Sequence, residues 1–223
     1  MNLIKRAIAS LQARGFTNTL NVVLAILADK TFDYRYGVNT ARHVKLEALV
    51  INSESKALGI EYQPTRVGAF NRLMKALDLP RDGMFVDFGS GKGRILILAA
   101  IAGFKSVQGV EFSAELCALA RDNVFRFQRR TNIKTPISII ENDALLYQIP
   151  KNANVFYMFH PFTGSVMKQV VDNIKQSLKE HPRKVWLIYN FPESAEIIEA
   201  NGEVESARAY EFVGIRFMVY ELR

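Results

Sequence analysis

A chain of 223 residues with 49% hydrophobic and 23% charged side chains is long enough for one α/β domain and too evenly mixed to be disordered. Its single cysteine, Cys117, excludes an internal disulfide and fits a reducing compartment; with His43, His160 and His181 scattered along the chain it gives no metal-ligand cluster, so no metal is expected. Lysine and arginine outnumber acids 29 to 22, and residues 1–45 carry Lys5, Arg6, Arg14, Lys30, Arg35, Arg42 and Lys45 against only Asp29 and Asp33, so the excess lies in an N-terminal arm suited to an anionic partner.

Residues 2–13 set Leu3, Ile4, Ala7, Ile8 and Leu11 at helical spacing, with Lys5 and Arg6 on another face; docking on the domain is the expected use of this helix, peripheral membrane contact the other. Thr17-Asn18-Thr19 offers N-caps for a second helix to about Lys30. The apolar stretch from Leu20 to Ala28 is too short to cross a bilayer, and a cytoplasmic protein is expected. TFDYRYGVNT reads as an aromatic loop turning at Gly37, and Ala41 to about Ile51 as an amphipathic run. A helix is expected from about Thr65, broken by Pro80-Arg81-Asp82-Gly83. Then strands and helices alternate: MFVDF, a helix from Arg94 to Gly103, SVQGVEF, a helix from Ala114 to Gln128, ISIIEND, ANVFYMF, a helix from Ser165 to Glu180, KVWLIYN and a short helix from Ser194 to Asn201. VESARAY and IRFMVYEL close the chain around a turn at Gly214. Near-continuous apolar strands between helices argue a parallel sheet covered on both faces, and a tight final turn requires an antiparallel pair. The expected fold is a Rossmann-like, seven-stranded, mostly parallel sheet with a C-terminal antiparallel hairpin. A helical cap over residues 1–60 precedes a domain over 61–223.

VDFGSGKGR, between the first strand and its helix, is a ligand-binding turn. It is not a P-loop, because Gly93 stands where serine or threonine would bind magnesium. The dinucleotide fingerprint fits Gly89 and Gly91 but meets Arg94 where a small residue lets helix and strand pack closely. Asp87 places an acid beside that turn and suits a cationic amine better than a pyrophosphate. Glu111 ends the second strand, where an acid accepts both ribose hydroxyls. Asp143 ends the third, at the level of an adenine amino group. One carboxylate each for amine, ribose and adenine describes S-adenosylmethionine (SAM) better than NAD.

These motifs, with the terminal hairpin, resemble the class I (seven-strand) SAM-dependent methyltransferases from about Tyr62 to Arg223. Tyr62-Gln63-Pro64-Thr65 is similar to the Y-x-P-[TS] segment of protein lysine methyltransferases that carry D-L-G-S-G-x-G-R. The chain also resembles bacterial methyltransferases of unassigned substrate that pair F-D-x-x-Y-G-V with N-P-F. The resemblance implies that Asp87, Gly89, Ser90, Gly91 and Gly93 cradle the methionyl end of SAM. It implies Glu111 on the ribose, Asp143 with Ala144 on the adenine side, and Phe112 against the base. Tyr62 and Thr65 would cover the methionine carboxylate.

In this fold the acceptor lies over the tip of the fourth strand, here Phe159-His160-Pro161-Phe162. His160 suits a general base or a loop-shaping hydrogen bond, and Phe162 a wall of the acceptor channel. Along the same strand, Tyr157 or Phe159 is expected to be core. Base methyltransferases resemble one another in carrying [DNS]-P-P-[YFW] there, so nucleic acid is a disfavoured acceptor. Asn190, beside the same rim, is expected in an ordinary strand-to-helix turn, with a hydrogen-bond acceptor at the rim as its other reading, and Phe32 to Gly37 as a lid, with a packed hinge for the N-terminal helices as the alternative. The expected activity is methyl transfer to a protein lysine; a small molecule or glycan is the alternative, as is a non-catalytic SAM-binding protein.

Overall fold

The computed structural model describes residues 16–45, 60, 62–200 and 204–223. The helix expected at 2–13 and residues 46–51 of the amphipathic run lie outside them. α1 spans Phe16–Tyr36 and α2 Val67–Ala76; β1 (Met84–Phe88), α3 (Arg94–Ile101), β2 (Ser106–Glu111), α4 (Ala114–Arg130) and β3 (Ile137–Glu141) follow. β4 (Ala153–Phe159), α5 (Gly164–Glu180), β5 (Val185–Asn190), α6 (Ala195–Glu199), β6 (Val204–Phe212) and β7 (Ile215–Leu222) complete the chain.

The strands form one sheet in the order β3-β2-β1-β4-β5-β7-β6. β1 to β5 are parallel, while β7 pairs antiparallel with both β5 and β6. The order reverses between β1 and β4, and the carboxyl ends of strands flanking such a reversal form a crevice. Side-chain alternation divides the core. Phe70, Phe85, Leu96, Phe104 and Tyr157 pack on one face of the sheet, and Val86, Phe88, Phe156, Met158 and Met167 on the other.

The expected loop over TFDYRYGVNT is corrected by the structure. α1 runs through Lys30 to Tyr36, and the chain turns only at Gly37. Asp33 explains the turn: its carboxylate accepts from Thr40 N–H and Ala41 N–H at 2.8 Å each and from the Thr40 hydroxyl at 2.6 Å. The amphipathic run is corrected where it is described. Residues 41–45 are not helical, and Val44 forms a single antiparallel bridge with Tyr62.

Candidate active site

The turn after β1 is built so that other side chains lie directly on it. A Cβ on Gly89 (φ +71°) would fall 2.5 Å from Pro161 Cβ, and one on Gly91 (φ +51°) 2.1 Å from the Tyr62 ring. Only glycine tolerates both the left-handed backbone and this approach. Gly89 N–H and Ser90 N–H both donate to the Val110 carbonyl, at 2.9 and 3.1 Å, clamping the turn against β2. Gly91→Ala is therefore expected to displace Tyr62 and weaken cofactor binding by about tenfold or more, since left-handed strain alone costs about 1–2 kcal/mol. Calorimetric titration with S-adenosylhomocysteine measures this; unchanged affinity would separate Tyr62 from the site.

Asp87 and Glu111 end β1 and β2 as buried carboxylates. Glu111 accepts Gly91 N–H at 2.9 Å and Ser113 N–H at 3.0 Å, one on each oxygen. Burial raises its pKa and these backbone donors oppose the rise. Asp87 lies well above the usual carboxylate range because it is buried, and the Glu111 charge adds to the effect. Among the described residues no lysine or arginine forms an ion pair with either acid. A cleft opens beside Glu111, lined by Gly89, Glu111, Phe112, Asp143, Ala144 and Phe162, with Val110, Asn142, Pro161 and Val166. The Asp143 carboxylate caps its own loop by accepting Leu145 N–H at 2.9 Å.

A second set of residues ties the segments after α1 and before α2 to the glycine turn. Tyr62 lies on the glycine turn and donates its hydroxyl to the Thr40 carbonyl at 2.8 Å. Thr65 is buried, its hydroxyl 2.8 Å from Tyr157 OH and 3.4 Å from Asn190 Nδ2. Beneath both lies Arg94, 2% exposed. It donates to Thr40 Oγ1 (2.8 Å), the Thr65 carbonyl and Asp29 (3.1 Å each), and Asp33 (3.4 Å). Asn123 on α4 adds a tie, donating to the Lys92 carbonyl at 3.0 Å and accepting Asn39 N–H at 2.8 Å.

At the tip of β4, His160 is held with φ +38°, its Nδ1 2.5 Å from Tyr189 OH on β5. The Tyr189 oxygen accepts Ser194 N–H at 3.3 Å. Burial lowers the His160 pKa, against the opposing charge of Glu193, and raises that of Tyr189. Both therefore stay neutral near pH 7. Phe191 and Tyr189 pack around His160 with ring centres 6.1 and 6.0 Å away, and Phe191 meets Phe159 at 6.5 Å.

A family model described as histone methylation protein DOT1 matches residues 60–203. The chain belongs to that family. It is a class I methyltransferase, and its methyl donor is S-adenosylmethionine. Its fold is shared with a SAM-dependent methyltransferase from Aquifex aeolicus (14% identity, TM-score 0.55) and an RNA methyltransferase from Salinibacter ruber solved with S-adenosyl-L-homocysteine (18%, TM-score 0.51). Each alignment covers 68% of this chain and 88% of the other. No curated protein sequence matches the chain.

The site of this DOT1-family methyltransferase fits the donor. Two buried carboxylates without a paired cation suit a ligand that carries an ammonium, a sulfonium and a ribose diol. Bound there, SAM supplies a methyl carbon activated by its sulfonium. Of the residues expected in the site, the structure brings Gly89, Glu111, Phe112, Asp143, Ala144 and Phe162 to one cleft; Asp87 is buried outside its lining, and Gly91, with the Tyr62 ring on it, is tied to the cleft through Glu111. Ser90 turns its side chain over Gly109, and Gly93 begins α3 against Ala120. Thr65 sits in the buried cluster with Tyr157, whose ring is core and whose hydroxyl is polar mortar; Phe159 is only partly buried. Asn190 is buried in the same cluster. Sequence reasoning missed Arg94, Thr40, Asn123 and Tyr189. For Arg94 the signal was present as its misfit to the dinucleotide fingerprint.

Proposed function

We propose that the methyl acceptor is a lysine side chain of a protein. The observation that carries this reading is the aromatic rim at the β4 tip, where Phe191 packs on Phe159 and His160 while Phe162 lines the donor cleft. Aromatic faces attract a lysine ammonium and exclude water around the amine once it is neutral. The family description supports it independently, since it names a protein, histone, as what is methylated.

Under this reading Asp87, Glu111 and Asp143 hold the donor, Gly89, Gly91, Phe112 and Ala144 line it, and Tyr62 and Thr65 fix its cover. Phe162 aligns the acceptor, because an in-line displacement depends chiefly on orientation. His160 shapes the transfer loop. Its Nδ1 shares a hydrogen bond with the Tyr189 hydroxyl, whose oxygen also accepts Ser194 N–H, so the loop is tied to the end of β5.

The test incubates the enzyme with methyl-labelled SAM and cell extract, using Asp87→Asn as the blank. Label in protein, recovered as methylated lysine after hydrolysis, supports the reading; label confined to nucleic acid, lipid or small molecules overturns it. With the labelled protein as substrate, Phe162→Ala is expected to slow transfer by about a hundredfold. A loop-shaping His160 predicts that His160→Ala lowers kcat with no change in the pH at which kcat rises. A kcat limb in the histidine range that vanishes in the variant would make His160 a base instead.

A further inference from the structure

Between Leu24 and Arg35, the described side chains of α1 that are exposed include three apolar ones. Leu24, Leu27 and Tyr34 are 53%, 48% and 88% exposed. At about 100° per residue they form one stripe with Thr31 between them. The Thr31 hydroxyl bonds back to the carbonyls of Leu27 (2.9 Å) and Ala28 (3.0 Å), so it needs no water. Ile101 of α3, 36% exposed, and Leu98 border the adjoining groove. The same spacing sets Lys30 on one flank of the stripe and Arg35 on the other, both exposed.

The acids of this helix lie elsewhere. Asp29 and Asp33, the only acidic residues in the first 45 of the sequence, turn inward to Arg94 at 3.1 and 3.4 Å. What α1 offers outward is therefore an apolar stripe between cations with no carboxylate. Among the described residues no helix is long and apolar enough to cross a membrane. An apolar stripe that exposes an aromatic ring and is bordered by lysine and arginine suits the headgroup boundary of an anionic bilayer. There the long cationic side chains reach lipid phosphates while the stripe enters the acyl region.

We infer that the outward face of α1 is a membrane-surface contact, lying in the plane of an anionic bilayer through Leu24, Leu27 and Tyr34 with Lys30 and Arg35 on lipid headgroups. It recruits the methyltransferase to a lipid surface and belongs to neither the donor cleft nor the acceptor rim.

Co-sedimentation of the full chain with phosphatidylcholine vesicles, with and without about one-quarter phosphatidylglycerol, tests this. The wild type is expected to partition onto the anionic vesicles and to be released by salt. Leu24→Ser/Leu27→Ser/Tyr34→Ser and, separately, Lys30→Glu/Arg35→Glu are each expected to weaken partitioning by about tenfold or more. All five positions are exposed, so affinity for S-adenosylhomocysteine should be retained, which certifies the fold of each variant. A wild type that stays in the supernatant with both vesicle types overturns the inference, as does equal partitioning of folded variants. A concentration-dependent dimer that Leu24→Ser/Leu27→Ser abolishes, without vesicle binding, would assign the stripe to a second copy.

Discussion

Arg94→Met is expected to cost about 3–5 kcal/mol of stability, read as a fall in the urea midpoint. The guanidinium is almost fully enclosed and donates to two carboxylates, a hydroxyl and a backbone carbonyl on three separate segments. Removing it takes the enclosed cation from both carboxylates and the donor from the Thr65 carbonyl, leaving Asp29 only Arg66 and the Val67 N–H and Asp33 only Thr40 and Ala41, which is where most of the cost arises. Lysine is not expected to rescue, because a point charge cannot fork to Thr40, Thr65 and Asp29 together. Asp29→Asn and Asp33→Asn, added to Arg94→Met, should recover part of the loss by removing the stranded charges. The cofactor site reports the same event. Thr40 accepts from Tyr62 and Thr65 bonds Tyr157, so affinity for S-adenosylhomocysteine should fall with the midpoint. A midpoint within experimental error of wild type would refute the role given to this residue.

Asp87→Asn is expected to separate stability from binding. In the ligand-free protein burial holds the Asp87 pKa well above its unfolded value, so the folded state binds this proton more tightly. Its contribution to stability is then present below the unfolded pKa of about 4 and is lost as pH rises through the folded value. Asparagine removes that term, and at neutral pH the free variant should melt higher than wild type. Binding moves the opposite way. An ammonium or sulfonium beside Asp87 favours the carboxylate, so wild-type affinity for S-adenosylhomocysteine, which retains the ammonium, should rise with pH by up to about tenfold per unit until the raised pKa is passed. The variant should bind about 10- to 100-fold more weakly with that dependence gone, the loss of a charge-assisted bond. Calorimetry across pH decides it. Undiminished affinity would mean that Asp87 does not meet the cationic end of the ligand.

The sheet was readable because each parallel strand is a near-continuous apolar run followed by a turn, and Asp87, Glu111 and Asp143 were readable because they fall at the ends of three successive runs. What escaped were pairings across long stretches of chain. Thr31, Phe32 and Asp33 have little intrinsic helix preference, and reading them as loop was sound locally. The helix continues because Asp29 and Asp33, one turn apart, reach Arg94 more than sixty residues downstream. Arg94 was visible as an exception to a glycine fingerprint, yet nothing in the spacing named its partners. The His160–Tyr189 bond depends on β4 and β5 ending level with each other, a matter of register rather than motif.

The Arg94 cluster also bears on the order in which the molecule assembles. α1 is synthesised before α3, so its inward acids meet Arg94 only after β1, the glycine turn and the start of α3 have been made and have folded. Contacts this distant in sequence consolidate late, after the local strand–helix units. A nascent chain thus carries α1 without its buried cation from the time Tyr36 is made until Arg94 has followed and folded. That interval is when a chaperone or a lipid surface competes most effectively for it, and a slow Arg94 variant would prolong it.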